Sequence, residues 1–413
     1  KRGIYMKKIR LVSCFLAISL LLSGCAKEIK STAGGEVITT TVATTTEPVI
    51  TTEPIPEPVT VRVTAAGDNL IHSSIYNQAH KRSEDGTYNF EYAYENIRPL
   101  ICGDLNILNQ ETPICNDIFE PSTYPCFNSP TQLGDKMLDI GFNAFCHANN
   151  HILDKGMKGV EATLDYWDDK DAVVYGVYRN EDDMNNIRTR NVNGITFSFL
   201  GFTEHTNGIR IPEDSEIEVI YTEEIETIEK QIKSAREQSD VVVVSVHWGV
   251  ENSHIITDAQ RNLAQQMADW GADVIIGTHP HVVQDMDEIT AADGRNVLVM
   301  YSLGNFISAQ SVGNRMIGGV VDFNVTKNFE YDSIMISDVK FIPVITHYDY
   351  NYSNVRVYPL SQYTRELASN HGIRANSHFD YDFIIETLKE NINERYLVLE
   401  NIDTEEETED DAA

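Results

Sequence analysis

The sequence predicts an α/β fold built on a largely parallel sheet. Short apolar runs that are typical of buried strands alternate with segments of helical period between residues 59 and 301. Two of these runs, residues 241–246 and 272–276, are almost wholly apolar, as strands buried on both faces of a parallel sheet are. Side chains that can bind a ligand follow several runs, at the edge where open α/β sheets bind their ligands.

The predicted elements follow one another without an internal repeat. Predicted strands cover residues 61–66, 105–108, 143–146, 172–176, 195–202, 241–246, 272–276 and 296–301. Predicted helices cover residues 131–140, 159–169, 223–238, 257–270 and 381–391. Thr222 is the expected N-cap of the third helix, and Thr257 with Gln260 has the form of a capping box at the fourth. After Ile317 the pattern turns to strands, over residues 319–325 and 338–344.

The first residues of the chain predict an exported protein. Lys7, Lys8 and Arg10 precede an apolar run over residues 11–22, which is too short for an ordinary transmembrane helix. We therefore expect a signal peptide over residues 1–25 and a Thr/Pro/Glu-rich, disordered spacer over residues 26–58. The main folded domain is expected over residues 59–362, a helical segment over residues 363–400 and an acidic, disordered tail over residues 401–413.

The cysteines point to the same compartment. The apolar run ends in Leu22-Ser23-Gly24-Cys25, which resembles the lipobox of bacterial lipoproteins. This resemblance implies that Cys25 carries lipid and holds the protein on the extracytoplasmic face of the cell membrane; a plain signal peptide with a stray cysteine is the alternative. Four later cysteines, Cys102, Cys115, Cys126 and Cys146, allow three pairings, and we prefer a disulfide between Cys115 and Cys126 because they flank a loop.

The formal net charge of the 413-residue chain is -31. So strong an acidic excess argues against nucleic acid as a partner, and against electrostatic attachment to an anionic membrane surface. Part of the excess lies in the tail after residue 403, and solubility is the ordinary explanation for the remainder.

Residues of the types that bind metal follow five predicted strands. Asp68 and His72 follow the first strand, Asn109 and Glu111 the second, Asn149, Asn150, His151 and Asp154 the third, His247 and Glu251 a later strand, and His279 and His281 the next. Carboxylate, amide oxygen and imidazole form a ligand set suited to Zn, Mn or Fe. With this many ligands, two divalent ions that share a bridging carboxylate fit better than one, and such a pair is suited to hydrolysis.

Each of these residues also has an ordinary structural explanation. Asp68 follows a glycine and could be a helix N-cap, and Asn149 and Asn150 could be turn residues. His247 ends an apolar strand and could be a core histidine, and His72 could cap a helix. These explanations do not account for the presence of ligand types at five separate strand ends.

Six motifs, in order along residues 61–307, resemble the bacterial capsule synthesis CapA family, which is related to the calcineurin-like metallophosphoesterases. They are Gly67-Asp68, Asn109-Gln110-Glu111, Ala148-Asn149-Asn150-His151 with Asp154 and Gly156, His247-Trp248-Gly249 with Glu251, Gly277-Thr278-His279-Pro280-His281-Val282 with Gln284, and Ser302-Leu303-Gly304-Asn305-Phe306. The resemblance implies a four-layer α/β/β/α sandwich of the metallophosphoesterase type, with a dinuclear metal site at the strand ends.

The resemblance also implies a role for each matching residue. Asp68 would bind the first ion, Glu111 would bridge the two ions, and Asn150, His247, His279 and His281 would complete the ligands. His151 would protonate the leaving group, with Asp154 orienting its ring. His72, Asn109, Asn149, Glu251 and Asn305 would be further ligands or would hold the ligands in place.

Our first hypothesis for function is a membrane-anchored, extracytoplasmic protein that acts in the metabolism of a capsule polymer, such as poly-γ-glutamate, or of another envelope polymer. The expected partners are the polymer or its membrane synthase complex. One alternative is a non-catalytic factor that binds the polymer or assembles the synthase. Another is an extracellular phosphoesterase or nucleotidase, which would need an aromatic clamp for a base, and Trp248, Tyr301 and Phe306 lie near the predicted site.

Overall fold

The computed structural model of the chain describes residues 56–399. The predicted signal peptide, the lipidation site Cys25 and the acidic tail lie outside the described residues, as does nearly all of the predicted spacer. No helix within residues 56–399 is long and apolar enough to cross a membrane.

The strands and helices alternate as predicted in the first part of the domain, and strands dominate after residue 283. The strands are β1 (Val59–Asn69), β2 (Leu105–Asn109), β3 (Ala144–Cys146), β4 (Val173–Tyr175), β5 (Arg188–Val192), β6 (Ile195–Thr203), β7 (Val241–His247), β8 (Val274–Thr278), β9 (Val283–Thr290), β10 (Asn296–Leu303), β11 (Asn305–Ile307), β12 (Ile317–Asn328), β13 (Ser333–Asp349) and β14 (Ser353–Pro359). The helices are α1 (Ser73–Lys81), α2 (Glu91–Tyr94), α3 (Thr131–Ile140), α4 (Gly156–Asp168), α5 (Glu181–Asn185), α6 (Ile225–Gln238), α7 (Asp258–Trp270), α8 (Arg365–Asn370) and α9 (Tyr381–Asn391). Short 3-10 helices cover Arg98–Leu100, Gly313–Met316, Tyr350–Tyr352, Leu360–Gln362 and Gly372–Ala375.

The strands form two sheets rather than one. In the first sheet the order is β14-β13-β12-β1-β2-β3-β4, and β11 also pairs with β1. Strands β1 to β4 are parallel, and β12, β13 and β14 extend them in antiparallel fashion. In the second sheet the order is β5-β6-β7-β8-β10-β9, with a parallel centre and an antiparallel strand at each edge. The expected parallel character therefore holds on the β1-to-β4 side of the first sheet and at the centre of the second.

The two sheets face each other, and helices cover their outer faces. Alternate residues of β7 divide between two cores, because successive side chains of a strand point to opposite faces. Val241 and Val243 join the core that includes the first sheet, whereas Val242 and Val244 pack with α6 and α7. A hydrogen bond of 2.8 Å between the hydroxyls of Tyr175 and Ser245 joins the sheets directly.

Helices α3 and α4 cover the outer face of the first sheet. Met137 of α3 lies in the same core as β1 to β3, and the Trp167 ring of α4 packs on Phe145 at 4.3 Å between centroids. The layers therefore run helix, sheet, sheet, helix. The predicted four-layer α/β/β/α sandwich is confirmed.

Several helix ends follow from local sequence. The bounds of α3 and α9 agree with the prediction, and Thr257 and Gln260 form the expected capping box of α7. The predicted N-cap Thr222 is wrong, because α6 begins after Glu224. The Thr222 N–H instead donates to the Thr203 carbonyl, which ties this segment to the end of β6.

The predicted disulfide between Cys115 and Cys126 is wrong for this structure, in which both are free cysteines. The buried Cys115 thiol lies 3.0 Å from Oδ1 of Asn128 and donates to it. The Asn128 amide group also donates to the Phe119 carbonyl. Hydrogen bonds to Asn128, rather than a covalent bond, therefore hold this loop.

The last described residues belong to the same core as the first sheet. Phe379, Ile384 and Leu388 are buried in the core that contains β1 and β12. The predicted boundary at residue 362 stays a prediction, but the segment that follows it packs on the sandwich.

Candidate metal centre

The candidate centre lies where the parallel strands of both sheets end. In the first sheet Asp68 is paired in register with Asn109, and Asn109 with Cys146, so the segments that follow β1, β2 and β3 start side by side. In the second sheet His247 is paired with Thr278. Because parallel strands end at a common edge, residues far apart in the chain converge here.

Two glycines allow close approach of the backbone beside the ligands. A Cβ at Gly67 would lie 2.0 Å from the Gly304 carbonyl oxygen, which accepts a hydrogen bond from the Asp68 N–H. A Cβ at Gly277 would likewise lie 2.0 Å from the Tyr301 carbonyl oxygen. Any larger residue at either position would displace the strand that carries the neighbouring ligand.

The loop from Thr278 to Val282 is strained at both histidines. His279 has φ of 98° and His281 has φ of 60°. Residues with a Cβ adopt positive φ only at a cost in free energy. The His279 N–H lies 3.4 Å from Asp68 Oδ2, and the Pro280 carbonyl accepts a hydrogen bond from Asn252. These contacts hold a conformation that aims both rings into one site.

One group of ligand atoms surrounds Asp68. Atoms of Asp68, Glu111 and His281 that could bind metal lie within 4.8 Å of one another, and all three residues are buried. The His281 Nδ1–H donates to Asp68 Oδ2 at 3.0 Å, while its Nε2 lies 3.8 Å from Glu111 Oε1. Asn109 donates to Asp68 Oδ1 at 2.7 Å, so it positions this carboxylate.

A second group surrounds His247. Its Nε2 atom lies 3.1 Å from Asn150 Oδ1, 3.1 Å from His279 Nδ1 and 3.7 Å from Glu111 Oε1. The Thr278 hydroxyl, 3.0 Å from its Nδ1, fixes the other side of the ring. Glu111 therefore lies between the two groups, which is the place that a bridging ligand requires.

The residues present fit divalent metal. Both carboxylate oxygens of Glu111 are buried and neither has a hydrogen bond. Burial, together with the nearby Asp68 carboxylate, raises the pKa of Glu111 well above its ordinary value. A buried carboxylate without hydrogen bonds is costly, and metal coordination is one of the few ways to satisfy it.

The histidines carry different charges. Burial, and then the charge of neighbouring histidines, lowers the pKa of His247 well below its ordinary value and that of His279 to about 3. Both rings are therefore neutral at physiological pH, the form that binds metal. Burial also lowers the pKa of His281, but Glu111 and Asp68 outweigh burial and raise it to about 9.

His151 and Asp154 form a hydrogen-bonded pair next to the second group. The His151 Nδ1 atom lies 2.8 Å from Asp154 Oδ2, which also accepts from the Phe127 N–H at 2.6 Å. The Phe127 ring meets the imidazole edge-on at 4.7 Å between centroids. The Asn149 side chain accepts from the His151 N–H at 3.1 Å. The predicted contact is present, and it leaves His151 Nε2 for a substrate.

A model described as bacterial capsule synthesis protein PGA_cap matches residues 62–310, well over half of the chain. The chain belongs to this family. The matched region contains all six motifs and every ligand of the centre described above.

Two curated relatives from bacilli are similar to the same part of the chain. The PGA biosynthesis protein CapA of Bacillus subtilis (strain 168) is 32% identical over 221 residues, which cover 50% of this chain and 54% of the relative. The capsule biosynthesis protein CapA of Bacillus anthracis is 32% identical over 195 residues, which cover 46% of each. The chain therefore spans about half the length of the curated relatives it matches.

Solved structures with a similar fold share little sequence with this chain. A novel phosphatase from Mycoplasma pneumoniae has a TM-score of 0.45 and 11% identity, over 70% of this chain and 94% of that one. A putative 5'-nucleotidase from Staphylococcus aureus, solved with alpha-ketoglutarate, has a TM-score of 0.43 and 15% identity, over 68% of this chain and 54% of that one.

The remaining predicted residues support ligands of the candidate centre or lie outside it. Asn149 donates to the Gln110 carbonyl at 3.0 Å, and Asn305 Oδ1 lies 3.1 Å from His281 Nδ1. His72 Nδ1 lies 3.2 Å from both the Leu70 carbonyl and the Ala309 N–H, so that nitrogen is occupied by backbone. Glu251 is exposed and acts on the centre through its charge alone.

The three aromatic residues near the candidate centre belong to the core. Trp248 and Tyr301 are each 2% exposed and Phe306 is fully buried. The Trp248 indole N–H donates to the Tyr301 carbonyl at 3.0 Å. None of the three is therefore placed to clamp a nucleotide base.

Two further residues, which are not among the predicted site residues, lie at the candidate centre. The exposed His205 ring stands edge-on to His279 at 5.0 Å between centroids. The amide group of Asn207 lies 3.3 Å from His151 Nδ1 and 3.3 Å from the Asn150 side chain. Both residues follow β6, so the rule that ligands follow strand ends could have found them.

Proposed function

We propose that the protein is a metal-dependent hydrolase in the metabolism of a capsule polymer, and that phosphoester rather than amide bonds are its substrates. The observation that carries this proposal is the buried Glu111 carboxylate, without a hydrogen bond, between two groups of metal-binding atoms. The role in capsule metabolism is supported by the PGA_cap family and by the names of the two CapA relatives.

The ligands would divide between two ions. Asp68 and His281 would hold one, and Asn150, His247 and His279 the other, with Glu111 shared by both. When bound, the ions supply Lewis acidity and lower the pKa of a bound water. The positive charge of the ions would also offset the repulsion between the Asp68 and Glu111 carboxylates, which helps to raise the pKa of Glu111.

His151 would supply the proton for the leaving group. Its Nδ1–H donates to Asp154, so the ring is fixed with Nε2 free to hold and release a proton. Asp154 is itself fixed by the Phe127 N–H, and Phe127 restricts rotation of the imidazole. The pair therefore needs no rearrangement to deliver a proton at one place beside the ligands.

The charge of the protein bears on the choice of bond. With a net charge of -31, the protein repels a polyanion such as poly-γ-glutamate at long range. Attraction must then come from groups at the centre itself. Phosphoester chemistry, in which the ions would meet the anionic oxygens directly, suits such a centre better than amide chemistry does.

We also propose that the protein is lipidated at Cys25 and acts on the extracytoplasmic face of the cell membrane. The basic residues, the apolar run and the lipobox-like Leu22-Ser23-Gly24-Cys25 support this part of the proposal. The polymer or its membrane synthase complex would be the partner. Replacing Cys25 with serine should release the mature protein from membranes, and persistence in the membrane fraction would contradict lipid anchoring.

The enzymatic part is tested with the full-length chain carrying Cys25→Ser. Wild type, His151→Ala and His279→Ala are assayed with p-nitrophenyl phosphodiesters and with poly-γ-glutamate. Hydrolysis of the phosphodiester by wild type and its loss in both variants is the expected result. Cleavage of poly-γ-glutamate alone would show an amidase, and absence of turnover with both substrates would favour a non-catalytic assembly factor.

A further inference from the structure

Arg315 is the residue near the centre whose chemistry the proposed function does not use. It lies in the 3-10 helix Gly313–Met316, just past the end of the family match, and its side chain is partly buried. Its Nε atom is buried without a hydrogen-bond partner, and among residues 56–399 no carboxylate forms an ion pair with it.

The lack of a partner is unusual among the partly buried arginines of this acidic protein. Others form ion pairs within the sandwich: Arg188 with Asp183, Arg236 with Asp273, Arg295 with Asp273 and Arg356 with Glu95. A guanidinium stays charged at any physiological pH, so an unpaired one that is partly desolvated is costly. In a chain with 63 acidic residues, the supply of carboxylates is not the limiting factor.

The backbone ties Arg315 to the metal ligands. Its carbonyl accepts from Asn305 Nδ2 at 2.9 Å, and the other end of that amide lies 3.1 Å from His281 Nδ1. The charge of Arg315 also reaches His72, whose pKa it helps to lower after burial has lowered it most. The Arg315 backbone is therefore joined through the Asn305 side chain to His281, a ligand of the group that also contains Asp68 and Glu111.

The segment that carries Arg315 is held in place by the C-terminal part of the domain. The Gly313 N–H donates to the Ser377 hydroxyl at 3.2 Å, and the Tyr348 hydroxyl donates to the Gln310 carbonyl at 2.9 Å. Asn314 Nδ2 lies 3.0 Å from His254 Nε2 in the loop after β7. The backbone that carries Arg315 is thus held in place before any ligand arrives.

We propose that Arg315 binds an anionic oxygen pair of the substrate, a phosphate or a carboxylate, beside the metal centre. The planar guanidinium offers paired N–H groups that match such oxygens in a bidentate contact. This inference rests on the proposed function in placing substrate at the centre, and it makes Arg315 a binding residue for the charge of that substrate. It also supplies the local positive charge that a strongly acidic protein needs to hold an anion.

The exposed Glu251 carboxylate acts on Arg315 through its charge and does not bind it. Burial lowers the pKa of Arg315, and the charge of Glu251 only partly opposes this, since Glu251 makes no ion pair with the guanidinium. An arriving anion must therefore compete with a carboxylate that is near but not bound. Multiply charged or bidentate groups would do so better than a chloride ion.

The test measures anion binding, apart from turnover, in the full-length Cys25→Ser chain with and without saturating Mn²⁺. Titration calorimetry follows inorganic phosphate in one arm and tri-γ-glutamate in the other. The variants are Arg315→Met, Arg315→Lys and, as the matched control, Arg210→Met in an exposed loop. Arg315→Met should lose about tenfold to a hundredfold in affinity for at least one probe. Arg315→Lys should retain part of that affinity, and Arg210→Met all of it.

Thermal unfolding separates a binding role from a structural one. Because the guanidinium has no partner, Arg315→Met should unfold at the wild-type temperature or above it. If Arg315→Met loses affinity for phosphate alone, Arg315 forms a phosphate subsite. If it loses affinity for tri-γ-glutamate alone, Arg315 forms a carboxylate subsite. Affinities of Arg315→Met within twofold of wild type for both probes, or no binding of either probe by wild type, would overturn the inference.

The same samples distinguish failure of the proposed function from failure of this inference. If the wild-type protein takes up no metal but its phosphate affinity still depends on Arg315, the hydrolase proposal fails and the anion subsite stands. If the wild-type protein binds metal and turns over substrate, while Arg315→Met binds both probes like wild type, the hydrolase proposal stands and the anion subsite fails.

Discussion

The Oε1 atom of Glu111 lies 3.7 Å from Nε2 of His247, although Glu111 follows a strand of the first sheet and His247 ends a strand of the second. The centre is therefore built at the junction of the two sheets. Each sheet supplies about half of the ligands, and Glu111 reaches both halves because His281 Nε2 lies 3.8 Å from the same oxygen. Neither sheet alone could assemble this arrangement.

Replacing Glu111, the proposed bridging carboxylate, should remove the stabilisation that bound metal is expected to give to the fold. In EDTA, Glu111→Gln should have a free energy of unfolding equal to or above that of wild type, because it replaces a buried carboxylate that has no hydrogen bond. With Mn²⁺ at a hundred times its dissociation constant, wild type should gain about 2.7 kcal/mol and the variant much less. Urea unfolding with and without Mn²⁺ measures both; an equal gain in the variant would contradict the bridging role.

Removing the proton donor should slow turnover without removing metal. His151→Ala should lower kcat about 10²-fold to 10⁴-fold on an alkyl phosphodiester, and Asp154→Asn should lower it less. The loss should be smaller with a p-nitrophenyl ester, since p-nitrophenolate leaves without a proton. Equal losses on both substrates would argue against His151 as the acid.

Adding one methyl group at Gly67 should damage the fold at the centre. The new Cβ would lie 2.0 Å from the Gly304 carbonyl oxygen, and backbone on both sides would have to move. Gly67→Ala should therefore lose about 3 kcal/mol or more of unfolding free energy and weaken metal binding. Gly86→Ala is the control, because nothing lies within 4 Å of its Cβ and its φ of +80° should cost about 1 kcal/mol. Similar losses in the two variants would contradict the steric explanation.

A buried histidine far from the centre should make the protein sensitive to acid. Burial, and then the charge of His347, lowers the pKa of His371 to about 3. Its Nε2–H donates to the Thr346 carbonyl at 2.9 Å and its Nδ1 accepts from the Ile373 N–H at 3.0 Å, so the neutral ring is the bonded form.

The direction of the change in stability with pH follows from proton binding at His371 in the folded and unfolded chains. Below about pH 6.5 the unfolded chain binds a proton at His371 that the folded chain does not bind until about pH 3, so stability falls as pH falls through this window. Between pH 7 and 5.5 wild type should lose about 1 kcal/mol more of unfolding free energy than His371→Gln. Urea unfolding at both values measures this difference. The exposed His378→Gln should follow wild type, and equal losses in all three proteins would contradict the assignment.

Much of the centre is predictable because its residues obey one simple rule. Asp68 and His247 lie at the ends of buried strands, and Glu111, Asn150, His279 and His281 follow such strands. Parallel strands end at a common edge. Helix ends with local chemistry, such as the capping box of α7, are predictable for a similar reason. The four-layer arrangement instead depends on which apolar faces meet across the two sheets, and only the resemblance to a family predicts it.

The errors arise where contacts far along the chain decide the outcome. The segment around Thr222 is tied to the end of β6, and Cys115 donates to Asn128, so neither takes its locally expected role. Arg315 comes from a 3-10 helix held by the C-terminal segment. No periodicity or strand end marks that position in the sequence.

The metal content of the purified full-length Cys25→Ser chain tests most directly whether Glu111 bridges two ions. Elemental analysis after dialysis against Mn²⁺, Zn²⁺ or Fe²⁺ should find about two ions per wild-type chain and fewer in Glu111→Gln. Arg210→Met, which changes an exposed residue, should match wild type. A wild-type chain that holds no metal under any of these conditions would contradict the proposed centre.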